Sequence, residues 1–148
     1  MDPRFFLLIP VLACPAFLLL QWWRRRAAFR EFAHARGLRF RGTIPSDKYP
    51  PYACFRIVAQ AVLLYHVAEG RVSGFEVAVF DFPKRRGTDT GVIVSGVPVG
   101  YAPPPNPDGN LTVDAQDGHL LGHRAQVPVE DLPELLSSVV SLARRGSE

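Results

Sequence analysis

His119 and His123 stand four residues apart, the spacing that on a helix turns two imidazoles to one face for a metal ion. The residues around them argue against that geometry. Asp117-Gly118 precedes them as a turn and Gly122 interrupts them, so the segment reads as a strand. Four strand residues separate side chains by about 13 Å, too far to share an ion that sits ~2 Å from each nitrogen. No metal and no other cofactor is expected. Cys54 has only Arg56 as a basic neighbour and reads as a buried thiol rather than a reactive one. No Gly-x-Ser-x-Gly elbow is present. Gly87-Thr88-Asp89-Thr90-Gly91 lacks the Lys-Ser/Thr ending of a phosphate loop and reads as a hairpin turn. Glu76 and Asp81 fall on opposite faces of one strand by parity, which argues against a working carboxylate pair. His34 and His66 read as surface or hydrogen-bonded histidines. Asp81, His66 and Arg71 remain as the group from which an active site could be assembled.

The elements that would position these residues are those of an antiparallel sheet. Val62–Val72 and Phe75–Phe82 are β-rich runs separated by Ser73-Gly74, a two-residue hairpin turn. Phe75, Val77 and Val79 alternate with Ala78, Phe80 and Phe82, so both faces are apolar and a central, doubly covered strand is predicted. Pro83–Thr88 reads as a turn and Gly91–Val99 as the next strand. Tyr101–Asn110, with its Pro-x-x-Pro spacing, reads as a stiff surface connection. Leu111–Ala115 and His119–Arg124 bracket the Asp-Gly hairpin. Asp131-Leu132-Pro133-Glu134 has capping-box spacing, and Leu132, Leu135, Leu136, Val139, Val140 and Ala143 form one stripe of the helix behind it.

Upstream, Phe29, Phe32 and Ala33 make one apolar stripe of a helix that runs to Arg36 and stops at Gly37. Leu38–Arg41 alternates like a short strand, Thr43–Pro51 reads as a loop and Tyr52–Ala61 as a short helix. The expected class is α+β: an amino-terminal transmembrane helix continuing into a juxtamembrane helix, then a small antiparallel sheet of five or six strands with a C-terminal amphipathic helix on it.

That transmembrane reading rests on Phe5–Trp23. From Phe5 to Leu20 no side chain is charged, and Trp22, Trp23, Arg24, Arg25 and Arg26 then close the stretch. A helix of this length spans ~28 Å, about the hydrocarbon thickness of a bilayer. Paired tryptophans and arginines are what a membrane interface selects. Pro10 and Pro15 read as bends, and the sequence after Ala13 and Ala16 is too apolar for signal cleavage. Seven arginines follow the span within residues 24–41 and one precedes it, which predicts a cytoplasmic C-terminal side. The expected organisation is an anchor at 1–26, a juxtamembrane helix and first strand at 27–41, and a cytoplasmic domain at 42–148.

The net charge of +3 divides unevenly. Residues 1–41 hold 8 Arg against 2 acids, which leaves 9 basic and 12 acidic residues beyond them. A mildly acidic domain does not grip a phosphate backbone, so no nucleic-acid partner is expected. Cys14 and Cys54 imply no disulfide framework, as in a reducing compartment. Lys84, Arg85 and Arg86 form a basic cluster at a hairpin tip that could meet anionic lipid.

Val67-Ala68-Glu69-Gly70, Gly74-Phe75-Glu76-Val77 and Phe80-Asp81-Phe82, followed by Val92-Ile93-Val94, resemble a pattern found in a widespread family of uncharacterised single-pass bacterial membrane proteins. The likeness covers residues 27 to 99 and departs in the short turn at Pro83–Gly87. It implies a bacterial inner-membrane location and assigns no activity. The expected function is a membrane-anchored cytoplasmic module that binds a protein partner or the lipid surface. The alternative is a membrane-bound enzyme with an unrecognised site.

Overall fold

The computed structural model describes residues 4–47, 51–104 and 109–148, with side chains from residue 13 onward. Helix α1 (Arg4–Ala35) comes first and ends as its sequence predicts. Gly37 takes a φ of 67°, Leu38 N–H donates to the Ala33 carbonyl and Gly37 N–H to that of His34. Both bonds satisfy carbonyls that the helix leaves open. Strand β1 (Arg39–Pro45) follows, then a short 3-10 turn (Tyr52–Cys54) and the one-turn helix α2 (Arg56–Ala59). The chain continues as β2 (Leu63–Val72), β3 (Phe75–Pro83), β4 (Thr88–Ser95), β5 (Thr112–Gln116), β6 (His119–Ala125) and α3 (Leu132–Ser147). The strands form one antiparallel sheet in the order β1-β2-β3-β4-β6-β5. The fold is therefore α+β, with a C-terminal helix on a six-stranded antiparallel sheet.

Both two-residue turns are where the sequence puts them. Ser73-Gly74 and Asp117-Gly118 each carry two positive φ values, the geometry that matches strand twist. Four local expectations need correction. Gly96–Val99 lies past the end of β4 rather than within the strand. Thr43–Pro45 belongs to β1 rather than to a loop, because Ile44 and Pro45 pair with Leu64 and Leu63. Proline is tolerated there at the end of an edge strand. Thr88–Thr90 belongs to β4 rather than to a turn, since Thr88 and Asp89 pair with Pro83 and Phe82. Asp131 makes no side-chain cap, for it lies in a 3-10 turn (Val129–Asp131) at helical φ and ψ. The Pro-x-x-Pro spacing and the end of the Thr43–Pro51 segment run into residues outside those described.

Strand β3 lies inside the sheet and is covered on both faces, as its two apolar sides require. Val77 and Val79 join Phe29, Phe32, Ala33 and the α3 stripe in one core. Ala78, Phe80 and Phe82 join Tyr52, Phe55 and Val58 in another. Helix α3 approaches β6 so closely that a Cβ on Gly122 would lie 2.4 Å from Val139 Cγ2.

The two ends of the sheet differ. The C-terminal end of α1 meets the sheet where Leu38 packs on Gly70, opposite Val77. Arg25, three turns earlier, lies at Asp81, toward the opposite end of β3. Beyond Asp81 at that end lie the β3–β4 turn with Lys84–Arg86 and the start of β2 with Val62 and Leu63. Helix α1 leaves the sheet in the same direction, and from Ala13 to Gln21 its side chains are exposed on every face. Among the described residues no helix is long and apolar enough to cross a membrane. The side chains of Phe5–Leu12, the first half of the expected span, lie outside that set.

Leu135 is 2 % exposed beneath α3. Leu135→Ala should lower the unfolding free energy of the full chain by ~2–5 kcal/mol in denaturant titrations. A change within measurement error would show that α3 is not docked.

Candidate functional site

Asp81 gathers the described polar groups more than any other residue. A β-bulge makes this possible. Between Tyr65 and Ala68, three steps along β2 match two along β3 from Asp81 to Val79. The extra residue, His66, takes a φ of 54° and lands beside Asp81, while Val67 turns to the opposite core. A non-glycine residue at positive φ is strained, and such strain collects at sites where side-chain aim matters.

Arg25 forks onto the carboxylate from α1. Its Nε donates to Asp81 Oδ2 at 2.6 Å and its Nη2 to Oδ1 at 2.8 Å. Its Nη1 donates to the Val127 carbonyl at 2.7 Å, and Nη2 also reaches Thr90 Oγ1 at 3.2 Å. Thr90 Oγ1 donates to Asp81 Oδ1 at 2.7 Å and accepts from the Val127 N–H. His66 Nδ1 lies 3.0 Å from Asp81 Oδ2, and Gln126 Nε2 reaches the same oxygen at 3.5 Å. Burial opposes ionisation of Asp81, but the hydrogen bond from Arg25, that from His66, the Arg25 charge and the Thr90 donation outweigh it. The carboxyl is held below its ordinary range and accepts as a carboxylate. The rings of Trp22 and Phe29 lie tilted against that of His66, with centroids 5.6 and 5.4 Å away.

A second buried pair lies on the other face. His123 Nδ1 is 2.8 Å from Asp89 Oδ2, and Lys84 Nζ is 2.8 Å from Asp89 Oδ1. His119 binds Ser95 Oγ through Nδ1, and burial lowers its basicity while Asp117 opposes that. The two strand histidines thus have separate partners. Among the described residues no group of three or more His, Cys, Asp or Glu could hold a metal ion. Cys54 donates to the Pro51 carbonyl, and burial pushes its thiol up, away from nucleophilic character. Tyr52 donates to Glu69, and burial followed by that bond holds its hydroxyl protonated.

The expected group of Asp81, His66 and Arg71 is therefore split. Asp81 and His66 meet, whereas Arg71 is an exposed partner of Glu76. Glu76 and Asp81 lie on opposite faces, as parity requires. The arginine triplet, read as one interfacial group, also divides. Arg25 enters the cluster, Arg26 lies over the Trp22 and Phe40 rings, and Arg24 is exposed. Of the basic tip, Lys84 is tied to Asp89 while Arg85 and Arg86 are exposed. Sequence reasoning missed the role of Arg25, whose partner is 56 residues away.

The chain matches no protein-family model, no curated protein and no solved structure. Its chemistry must be read from its own geometry. Asp81 accepts from four side chains and is not free to act as a base. Among the described residues no hydroxyl or thiol bonds His66 Nε2, so none is placed as a nucleophile for the Asp81–His66 pair. The cluster joins α1 to the sheet, and that is what it can do without a ligand.

Because folding depresses Asp81, the stability it contributes is present above the ordinary carboxyl range and is lost as pH falls through the folded value. Asp81→Asn should destabilise the protein by about 3 kcal/mol at neutral pH, by leaving Arg25 half-buried and unpaired. The gap between wild type and variant should narrow below about pH 4. Unfolding midpoints measured across pH check both statements. A gap that widens in acid would contradict the assignment.

Proposed function

We propose that the protein is a single-pass inner-membrane module whose cytoplasmic sheet docks, by one end, on the lipid surface. The observation that carries this reading is a convergence at that end. Phe17, Leu18, Leu19, Leu20 and Trp23 are exposed on α1 as it leaves the sheet. Val62, 70 % exposed, and Leu63, 39 % exposed, present aliphatic side chains where the chain enters β2. Arg85 and Arg86 project from the β3–β4 turn beside them. Water is a poor solvent for the aliphatic groups, and an anionic leaflet suits the arginines. Val62 also holds a φ of 58°, which is costly for a β-branched side chain.

The energetics favour tilt-setting over anchoring. With Lys84 engaged by Asp89, two free arginines contribute ~2 kcal/mol at an anionic surface, enough to orient a domain already tethered. The arginine excess after the span supports a cytoplasmic C-terminal side. An enzymatic role has less support, because the Asp81–His66 pair is enclosed and no nucleophile among the described residues bonds it.

Two measurements test this reading. A reporter fused after Glu148 should behave as cytoplasmic; activity of a reporter that works only in the periplasm would overturn the orientation. In anionic nanodiscs, a fluorophore at position 62 of the full chain should be quenched by brominated lipid. The same label at Val99, beyond the opposite end of β4, should not. Arg85→Glu with Arg86→Glu should reduce quenching at 62, and equal quenching at both positions would refute docking by this end.

A further inference from the structure

The docked end contains a crevice that surface docking does not use. It has a volume of about 510 Å3 and lies between the Gln21–Ala28 stretch of α1 and the Gln126–Glu130 segment. His66 lines it at 3 % exposure, and its enclosed Nε2 has no hydrogen-bond partner among the described residues. In the tautomer whose Nδ1 donates to the Asp81 carboxylate, Nε2 carries a lone pair and accepts. An enclosed acceptor without a donor is unfavourable, and such groups call for a partner. Trp22 also lines the crevice, and its ring centroid lies 5.6 Å from that of His66.

The rim supplies two further groups. Arg24 and Glu130 both line the crevice and are exposed, and among the described residues neither makes an ion pair. Arg25 is neutralised by Asp81. The crevice therefore presents a cation, an anion and a hidden acceptor. A zwitterion with an N–H donor answers all three: its phosphate meets Arg24, and its ammonium meets Glu130 and donates to His66 Nε2 once Trp22 moves aside. Where an apolar helix enters a bilayer, that chemistry belongs to a lipid headgroup.

We infer that this crevice holds the headgroup of a phosphatidylethanolamine. The inference rests on the membrane reading above and adds selectivity to it. Phosphatidylcholine has the same charges but no N–H, so it cannot satisfy Nε2. Surface electrostatics treats the two lipids alike, and only the crevice tells them apart.

The test is native mass spectrometry of the full chain from mixed micelles holding both lipids in equal amounts with identical acyl chains. Wild type should retain phosphatidylethanolamine over phosphatidylcholine by about fivefold, the factor one hydrogen bond supplies. His66→Asn, a residue that tolerates positive φ, should erase the preference. Arg24→Gln, at an exposed position, should lower retention of both lipids and keep their ratio. Equal retention by wild type would overturn the inference and leave docking standing, since docking is read separately by the label at 62. Displacement of the adducts by soluble glycerophosphoethanolamine at matched concentration would assign the crevice to a free metabolite and overturn the lipid assignment.

Discussion

The two-pronged ion pair between Arg25 and Asp81 is the constraint on which the remaining arrangement depends. Asp81 is buried, and Arg25 has a side chain only 16 % exposed. Charges removed from water are tolerated when each is paired and its remaining hydrogen-bonding capacity is met. Thr90, His66, Gln126 and the Val127 carbonyl meet it here. The pair has one good geometry, so it fixes how far α1 slides along β3. Phe29 and Phe32 then fall onto the sheet, and the exposed residues from Ala13 to Gln21 project past its end. An apolar stripe alone would permit slippage by a turn. The ion pair forbids it.

The β2 bulge is the second half of the same constraint. Without the extra residue, His66 would face the core around Phe80, where a polar ring has no partner. With it, Leu64 and Val67 both serve that core, and His66 joins Asp81 beneath Trp22 and Phe29. The pair of Asp89 with His123 and Lys84 performs a related task on the opposite face, tying the β3–β4 turn to β6. Polar clusters on both faces of one end of the sheet hold the region that meets the proposed lipid surface.

Features encoded by near neighbours were legible in the sequence. Gly37 stops α1, Ser73-Gly74 and Asp117-Gly118 make hairpins, and the stripe of α3 is buried as its spacing requires. Each follows from residues within a turn or two of one another. What the sequence concealed is non-local. Thr43–Pro45 and Thr88–Thr90 have loop-like composition but become strand because partners on β2 and β3 are in register. Asp131 has the spacing of a cap, yet the preceding 3-10 turn gives it the wrong backbone angles. In the site, Asp81 and His66 could be singled out as titratable residues in strands, but Arg25 looked like one of three equivalent interfacial charges. Helical spacing carried a clue: Arg25 shares a face with Phe29 and Phe32, at i+4 and i+7, which turns it inward with them.

The central claim is that Arg25 and Asp81 act as one unit holding helix to sheet, and a double-mutant cycle measures it most directly. Arg25→Met and Asp81→Leu would be made singly and together in the full chain, and unfolding free energies compared. Each single variant should be less stable than the double, because each leaves one buried charge without its counter-charge, and the coupling should be about 3 kcal/mol. Additive effects, within about 0.5 kcal/mol, would mean that the two residues do not sense each other and that something else positions α1.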